Sequence, residues 1–229
     1  MNLGVVTGMI ALGGTGGVWV QSRLDRWIVN LTELDVPWLG HEQVQVLHLR
    51  SRHPWIFPFL AAAGAGVTAA VIPPGQGGWA LIGLQWSLLL LAFIDMETQL
   101  LPDKLTLPLL WAGLLFNSVE SWVPLDEAVW GAVAGYSLLA GVYWIFRAAT
   151  GREGLGRGDF KLLAAVGAWL GLADVPVVLM GSALLGVVGS GVLGWWGRKG
   201  TLPRVVPFGP FISLAACGVL WFNLHGRGL

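Results

Sequence analysis

Trp86-Ser87-Leu88-Leu89-Leu90-Leu91-Ala92-Phe93-Ile94-Asp95 is an apolar run that ends on a carboxylate. Further along, Gly156-Arg157-Gly158-Asp159 places a second carboxylate directly before Phe160-Lys161-Leu162-Leu163-Ala164-Ala165-Val166-Gly167. Stretches this apolar are the material of membrane helices, and an ionisable group at their edge is costly enough to suggest a function. The question is then whether Asp95 and Asp159 meet.

The rest of the chain agrees with a membrane reading. It is 55% hydrophobic and 11% charged, against roughly 25% charged residues in an ordinary soluble domain. Mean hydropathy is +0.69. No polar half could fold as a separate globular unit, so residues 1–229 read as a single polytopic all-α membrane domain. Net charge is zero and the basic residues form no stripe, which argues against nucleic acid as a partner. A single cysteine, Cys217, excludes an internal disulfide and any multi-cysteine zinc site. Residues 3–20 have no basic residue before them and no clear cleavage site, so they are expected to be a retained span rather than a signal peptide.

A span needs roughly 20 mostly apolar residues, and eight segments approach that: 3–20, 55–73, 78–94, 103–119, 127–146, 159–173, 175–196 and 206–223. With eight spans, twelve of the 13 Lys and Arg residues fall on one side and only Arg227 on the other. Glu120, Asp126, Glu127 and Asp174 lie on the side poor in basic residues. The positive-inside rule makes the basic side cytoplasmic. Asp95 then ends a helix running inward and Asp159 begins one running outward, so both stand at the cytoplasmic boundary. Residues 22–54 form the one sizeable polar loop, holding His41, His48 and His53 without the tight spacing of a metal site. Small-residue spacings such as Gly13/Gly17 and Gly167/Gly171 suit close helix packing.

Two carboxylates brought together cannot both ionise cheaply, and their protons titrate as a coupled pair. One can take a proton from water while its neutral partner polarises a carbonyl and protonates the leaving amine. This hydrolyses a peptide without metal or covalent intermediate. Asp95 and Asp159 are the candidate pair. Gly156 and Gly158 lack side chains and would let an extended substrate backbone approach Asp159. Lys161 and Arg157 would tune the local charge. Pro102 suits the first turn of the following helix, and Asp103 is favourably placed near that helix's positive end.

Phe93-Ile94-Asp95-Met96-Glu97-Thr98-Gln99-Leu100-Leu101-Pro102-Asp103-Lys104-Leu105-Thr106-Leu107-Pro108-Leu109-Leu110-Trp111 closely resembles the first signature of the type IV prepilin peptidases. Gly151-Arg152-Glu153-Gly154-Leu155-Gly156-Arg157-Gly158-Asp159-Phe160-Lys161-Leu162-Leu163 resembles their second, the GxGD motif. Pro207-Phe208-Gly209-Pro210-Phe211 is similar to a later element of the family. The resemblance implies an aspartyl protease of the bacterial inner membrane, with Asp95 and Asp159 as the catalytic pair. Its expected substrates are type IV prepilins or type II secretion pseudopilins, which lose a short basic leader at the cytoplasmic face. Many members also N-methylate the new amino terminus with S-adenosylmethionine, an activity associated with an extended first cytoplasmic loop. That loop commonly carries two zinc-binding CxxC pairs; residues 22–54 have none, so no zinc is expected and methylation is not carried over residue by residue.

Two other classes compete. A proton-coupled transporter would favour midplane carboxylates and an internal repeat, neither of which the sequence offers. A catalytically idle assembly scaffold would have no need of both aspartates.

Overall fold

The computed structural model describes residues 77–196 except Glu153, residues 207–226, and Ala63, Gly64 and Gly66. The expected span 3–20, nearly all of 55–73, the loop 22–54 with its histidines, Gly13/Gly17, and Arg198, Lys199, Arg204 and Arg227 lie outside the described residues.

The described residues form an all-α fold of α1 (Gly78–Thr98), α2 (Asp103–Glu120), α3 (Leu125–Thr150), α4 (Arg157–Leu170), α5 (Asp174–Trp196) and α6 (Gly209–Gly226). Each coincides with one of the later six expected spans. Among the described residues, three stretches are long and apolar enough to cross a bilayer: Gly78–Met96, Leu125–Thr150 and Asp174–Gly191. Their outer faces fit that solvent. Trp130 and Ile145 on α3, and Met180, Leu184 and Val187 on α5, are all exposed. In water so much apolar surface would drive association; in lipid it is the ordinary condition of a helix face.

The links follow local chemistry. Helix α1 stops where Gln99 turns left-handed (φ 54°) and returns its N–H to the Asp95 carbonyl at 2.8 Å. Pro102 then caps α2 in an extended conformation, so it sits one residue ahead of the first turn it was expected to join. Asp103 occupies that first turn, as expected for a carboxylate at a helix start. Gly151 ends α3 at φ 68°, a conformation that costs glycine little.

Helix α4 is the centre of the bundle. Eleven of its 14 residues are buried, so it shows no lipid-facing stripe. At ~1.5 Å per residue it is too short to cross the ~30 Å apolar layer alone. Helices α2 and α3 pack most extensively against it. The close approach of α3 depends on glycine: a Cβ on Gly131 would strike the Gly167 backbone, and one on Gly135 would meet the Leu163 carbonyl at 2.5 Å. The Gly167/Gly171 spacing is a packing pair as expected: a Cβ on Gly131 would also lie 2.8 Å from the Gly171 carbonyl carbon, and one on Gly171 would lie 2.6 Å from Val123 Cγ1. Gly171 in addition terminates α4 at φ 91°.

The far end of α4 is closed by neutral polar groups. The buried Asn117 amide donates to the Ala168 and Trp169 carbonyls at 2.9 and 3.2 Å, and its oxygen accepts from Val123 N–H at 3.0 Å. Those carbonyls are among the last of the helix and have no intrahelical partner. The Trp169 indole donates to Leu109 O at 2.8 Å and stacks on Phe116 with centroids 5.0 Å apart.

Candidate active site

The other end of α4 holds the carboxylates. Asp95 lies in the last turn of α1 and Asp159 in the first turn of α4, both only 5% exposed. They stand within electrostatic reach of each other. Residues 64 apart in sequence are therefore brought to one end of the bundle by the turn at 99–102 and the α2–α3 hairpin.

Each carboxylate is held by a backbone amide. Gly209 N–H, the first of α6, donates to Asp95 Oδ2 at 2.9 Å. A carboxylate near a helix C-terminus faces the negative end of that helix's dipole, which is unfavourable for Asp95 in α1. The positive N-terminus of α6 compensates. The contact as it stands has no room for a side chain: a Cβ at 209 would sit 2.7 Å from Oδ2 and 3.1 Å from the carboxyl carbon, so Asp95 would have to shift. Asp159 hydrogen-bonds the amide of Gly156, the N-cap of its own helix, while its own N–H donates to Gly156 O at 3.2 Å. That is the carboxylate half of a capping box, the other half being replaced by a backbone turn because glycine has no side chain to accept.

The motif glycines serve contacts within the protein. A Cβ at Gly156 would lie 3.2 Å from Asp159 Oδ2, and one at Gly158 would lie 2.7 Å from Leu101 Cβ. The space expected to admit a substrate backbone at Gly158 is filled by the turn before α2, because Leu101 packs there. Lys161 points to Asp103, its Nζ 2.6 and 2.7 Å from the two carboxylate oxygens. Phe160, next to Asp159, is wedged between Tyr136 and Tyr143 at centroid distances of 5.9 and 5.6 Å, and Arg147 donates to the Tyr143 hydroxyl at 3.0 Å.

Of the residues singled out from the sequence, then, Asp95, Asp159, Gly156, Gly158, Lys161 and Asp103 gather at one end of the bundle. Gly209 completes the set. Its segment, Pro207-Phe208-Gly209-Pro210-Phe211, stood out in the sequence, but nothing local links it to Asp95, which is 114 positions earlier. Among the described residues, no group of three or more His, Cys, Asp or Glu is arranged to hold a metal ion.

With two buried carboxylates, each keeping an oxygen beyond its amide contact, the arrangement can hold a water between a base and an acid. Known proteins resemble the chain across the segment that holds both aspartates. A model described as the type IV leader peptidase family matches residues 82–191, which include both aspartates. A protein named prepilin leader peptidase/N-methyltransferase from Aeromonas salmonicida (strain A449) is 46% identical over 175 residues, 76% of this chain and 59% of its own. Proteins of the same name from Pseudomonas putida (46% over 159 residues; 69% of this chain, 52% of the relative) and Klebsiella pneumoniae (59% over 116 residues; 51% and 50%) are also similar. The chain thus spans about half to three-fifths of the length of these relatives. No solved structure matches it.

Proposed function

Residues 82–191 belong to the type IV leader peptidase family, and from that premise we propose that the chain is a membrane aspartyl endopeptidase. Its substrates in this reading are type IV prepilins or type II secretion pseudopilins, from which it removes the short basic leader. The observation that carries the proposal is the meeting of Asp95 and Asp159, buried and each held by a backbone amide.

In the reaction, the ionised carboxylate of the pair takes a proton from water as the water oxygen attacks the scissile carbonyl carbon. The protonated partner donates a hydrogen bond to the carbonyl oxygen, then supplies the proton that lets the amine leave. The C–N bond breaks, giving the leader's new carboxyl group and the mature chain's new amine. Gly209 and Gly156 keep the two side chains from rotating out of register, which matters because proximity supplies much of the rate in such reactions.

Eight spans, with Arg23, Arg26, Arg50, Arg52, Lys104, Arg147, Arg152, Arg157, Lys161, Arg198, Lys199 and Arg204 on the cytoplasmic side, give the wider arrangement. The enzyme would sit in the bacterial inner membrane with its dyad facing the cytoplasm. A basic leader would remain there while the substrate's apolar helix lies in the bilayer. Within the single domain 1–229, the loop 22–54 is the shortened counterpart of the methyltransferase-associated region. N-methylation of the new amino terminus, with S-adenosylmethionine as donor, forms the second half of the proposal. No methyl-transfer residues and no zinc are assigned to this chain.

The test is mass spectrometry of a pilin or pseudopilin incubated with the purified protein, with and without S-adenosylmethionine. Loss of the leader mass supports the peptidase, and a further methyl mass that depends on S-adenosylmethionine supports the transferase. An uncleaved substrate overturns the proposal.

A further inference from the structure

The two motif segments touch at a second place besides the dyad. Lys161, two residues after Asp159, donates to both carboxylate oxygens of Asp103, eight residues after Asp95, at 2.6 and 2.7 Å. Beside this pair Leu101 packs on Gly158 with no room for a Cβ. The turn at 99–102 joins the helix of Asp95 to α2 and is therefore pinned to the first turn of the helix that bears Asp159. The pinning has one polar and one apolar contact.

The ion pair is too exposed to hold the fold together. Its side chains are 32% and 55% accessible, and pairs so exposed add little to stability because water and salt screen them. What a two-oxygen contact does supply is geometry. It ties the first turn of α4 to the first turn of α2, and through the short 99–102 turn it limits sliding of Asp159 against the end of α1 that bears Asp95.

We propose that Asp103 and Lys161 are positioning residues, an ion-pair clamp at the mouth of the site that aligns Asp159 with Asp95. The inference rests on the leader-peptidase reading above and adds roles that neither residue's place in its helix implies. The clamp acts through the dyad, so its loss lowers turnover rather than substrate binding. Misplacement by about 1 Å costs on the order of 100-fold in rate, and the clamp's loss should therefore lower kcat by roughly 10- to 100-fold.

The test uses the full chain in lipid nanodiscs and a synthetic substrate with a short basic leader joined to an apolar helix. Wild-type protein and Asp95→Asn are run first. If the wild type leaves this substrate whole, the leader-peptidase reading falls and the clamp with it. If it cleaves, Asp103→Asn, Lys161→Met and the double variant decide the clamp alone. The expected result is a lower kcat in each single variant, KM and melting temperature unchanged, and no further loss in the double variant, since both remove the same contact. Lys161→Arg, which keeps the charge and the donors, restores most of the rate and serves as the folding control. Wild-type kcat in both single variants, losses that multiply in the double, or an effect on KM alone would overturn the clamp.

Discussion

The two ends of α4 solve the same problem in different ways. At its C-terminal end the buried carbonyls are met by the neutral amide of Asn117 and the chain continues through Gly171. At its N-terminal end the buried polar groups are carboxylates, one belonging to α4 and one brought from α1, with Gly209 of α6 gripping the second. A neutral amide would close the N-terminus equally well and more cheaply, because burying carboxylates costs far more than burying an amide that finds its partners. The contrast teaches that one end is built for stability and the other keeps costly groups whose value lies in chemistry.

The largest expected effect breaks the comparison at its charged end. Asp95→Asn and Asp159→Asn should each lower cleavage by at least roughly 100- to 10,000-fold, the range for loss of a general acid or base. Combining them should add little, because the two act as one unit. Initial rates against the same substrate check both statements.

Next is Gly209→Ala. The added methyl would sit 2.7 Å from Asp95 Oδ2, so the side chain must move. A displacement of about 1 Å predicts a fall in kcat of about 100-fold, with a smaller effect on KM. A normal kcat would show that the grip of α6 on Asp95 is dispensable.

At the neutral end the prediction reverses in kind. Asn117→Ala leaves two carbonyls and the Val123 N–H without this partner and should cost about 2–3 kcal/mol of stability. Turnover per folded molecule should be unchanged. Thermal unfolding in detergent beside a rate assay separates the two quantities. The smallest effect concerns metal: a dyad that activates water by itself predicts that a chelator leaves cleavage unchanged, and inhibition reversed by added zinc would contradict it.

Much of the described architecture was readable one residue at a time. Apolar runs located the helices, and Pro102 marked a boundary because its backbone preference acts locally. That Asp95 and Asp159 share one end of the bundle could be anticipated from the distribution of Lys and Arg, since an even number of crossings returns the chain to the same side; that they stand side by side could not. What stayed hidden were contacts between elements far apart in sequence. Gly158 read as an opening for substrate, yet it seats Leu101; Gly171 read as a packing position and is one, but that it also ends a helix was not visible. Asn117 carried no signal, because a polar residue in an apolar helix shows only that a partner exists and not where. The link from Gly209 to Asp95 was silent for the same reason.

The most direct test sets the two ends of α4 side by side: Asp159→Asn and Asn117→Ala, purified in parallel, with cleavage rate and melting temperature measured on each. The account predicts that Asp159→Asn melts like the wild type and leaves the substrate whole, while Asn117→Ala melts lower and cleaves at the wild-type rate below its transition. Leader removal by a folded Asp159→Asn protein would contradict it.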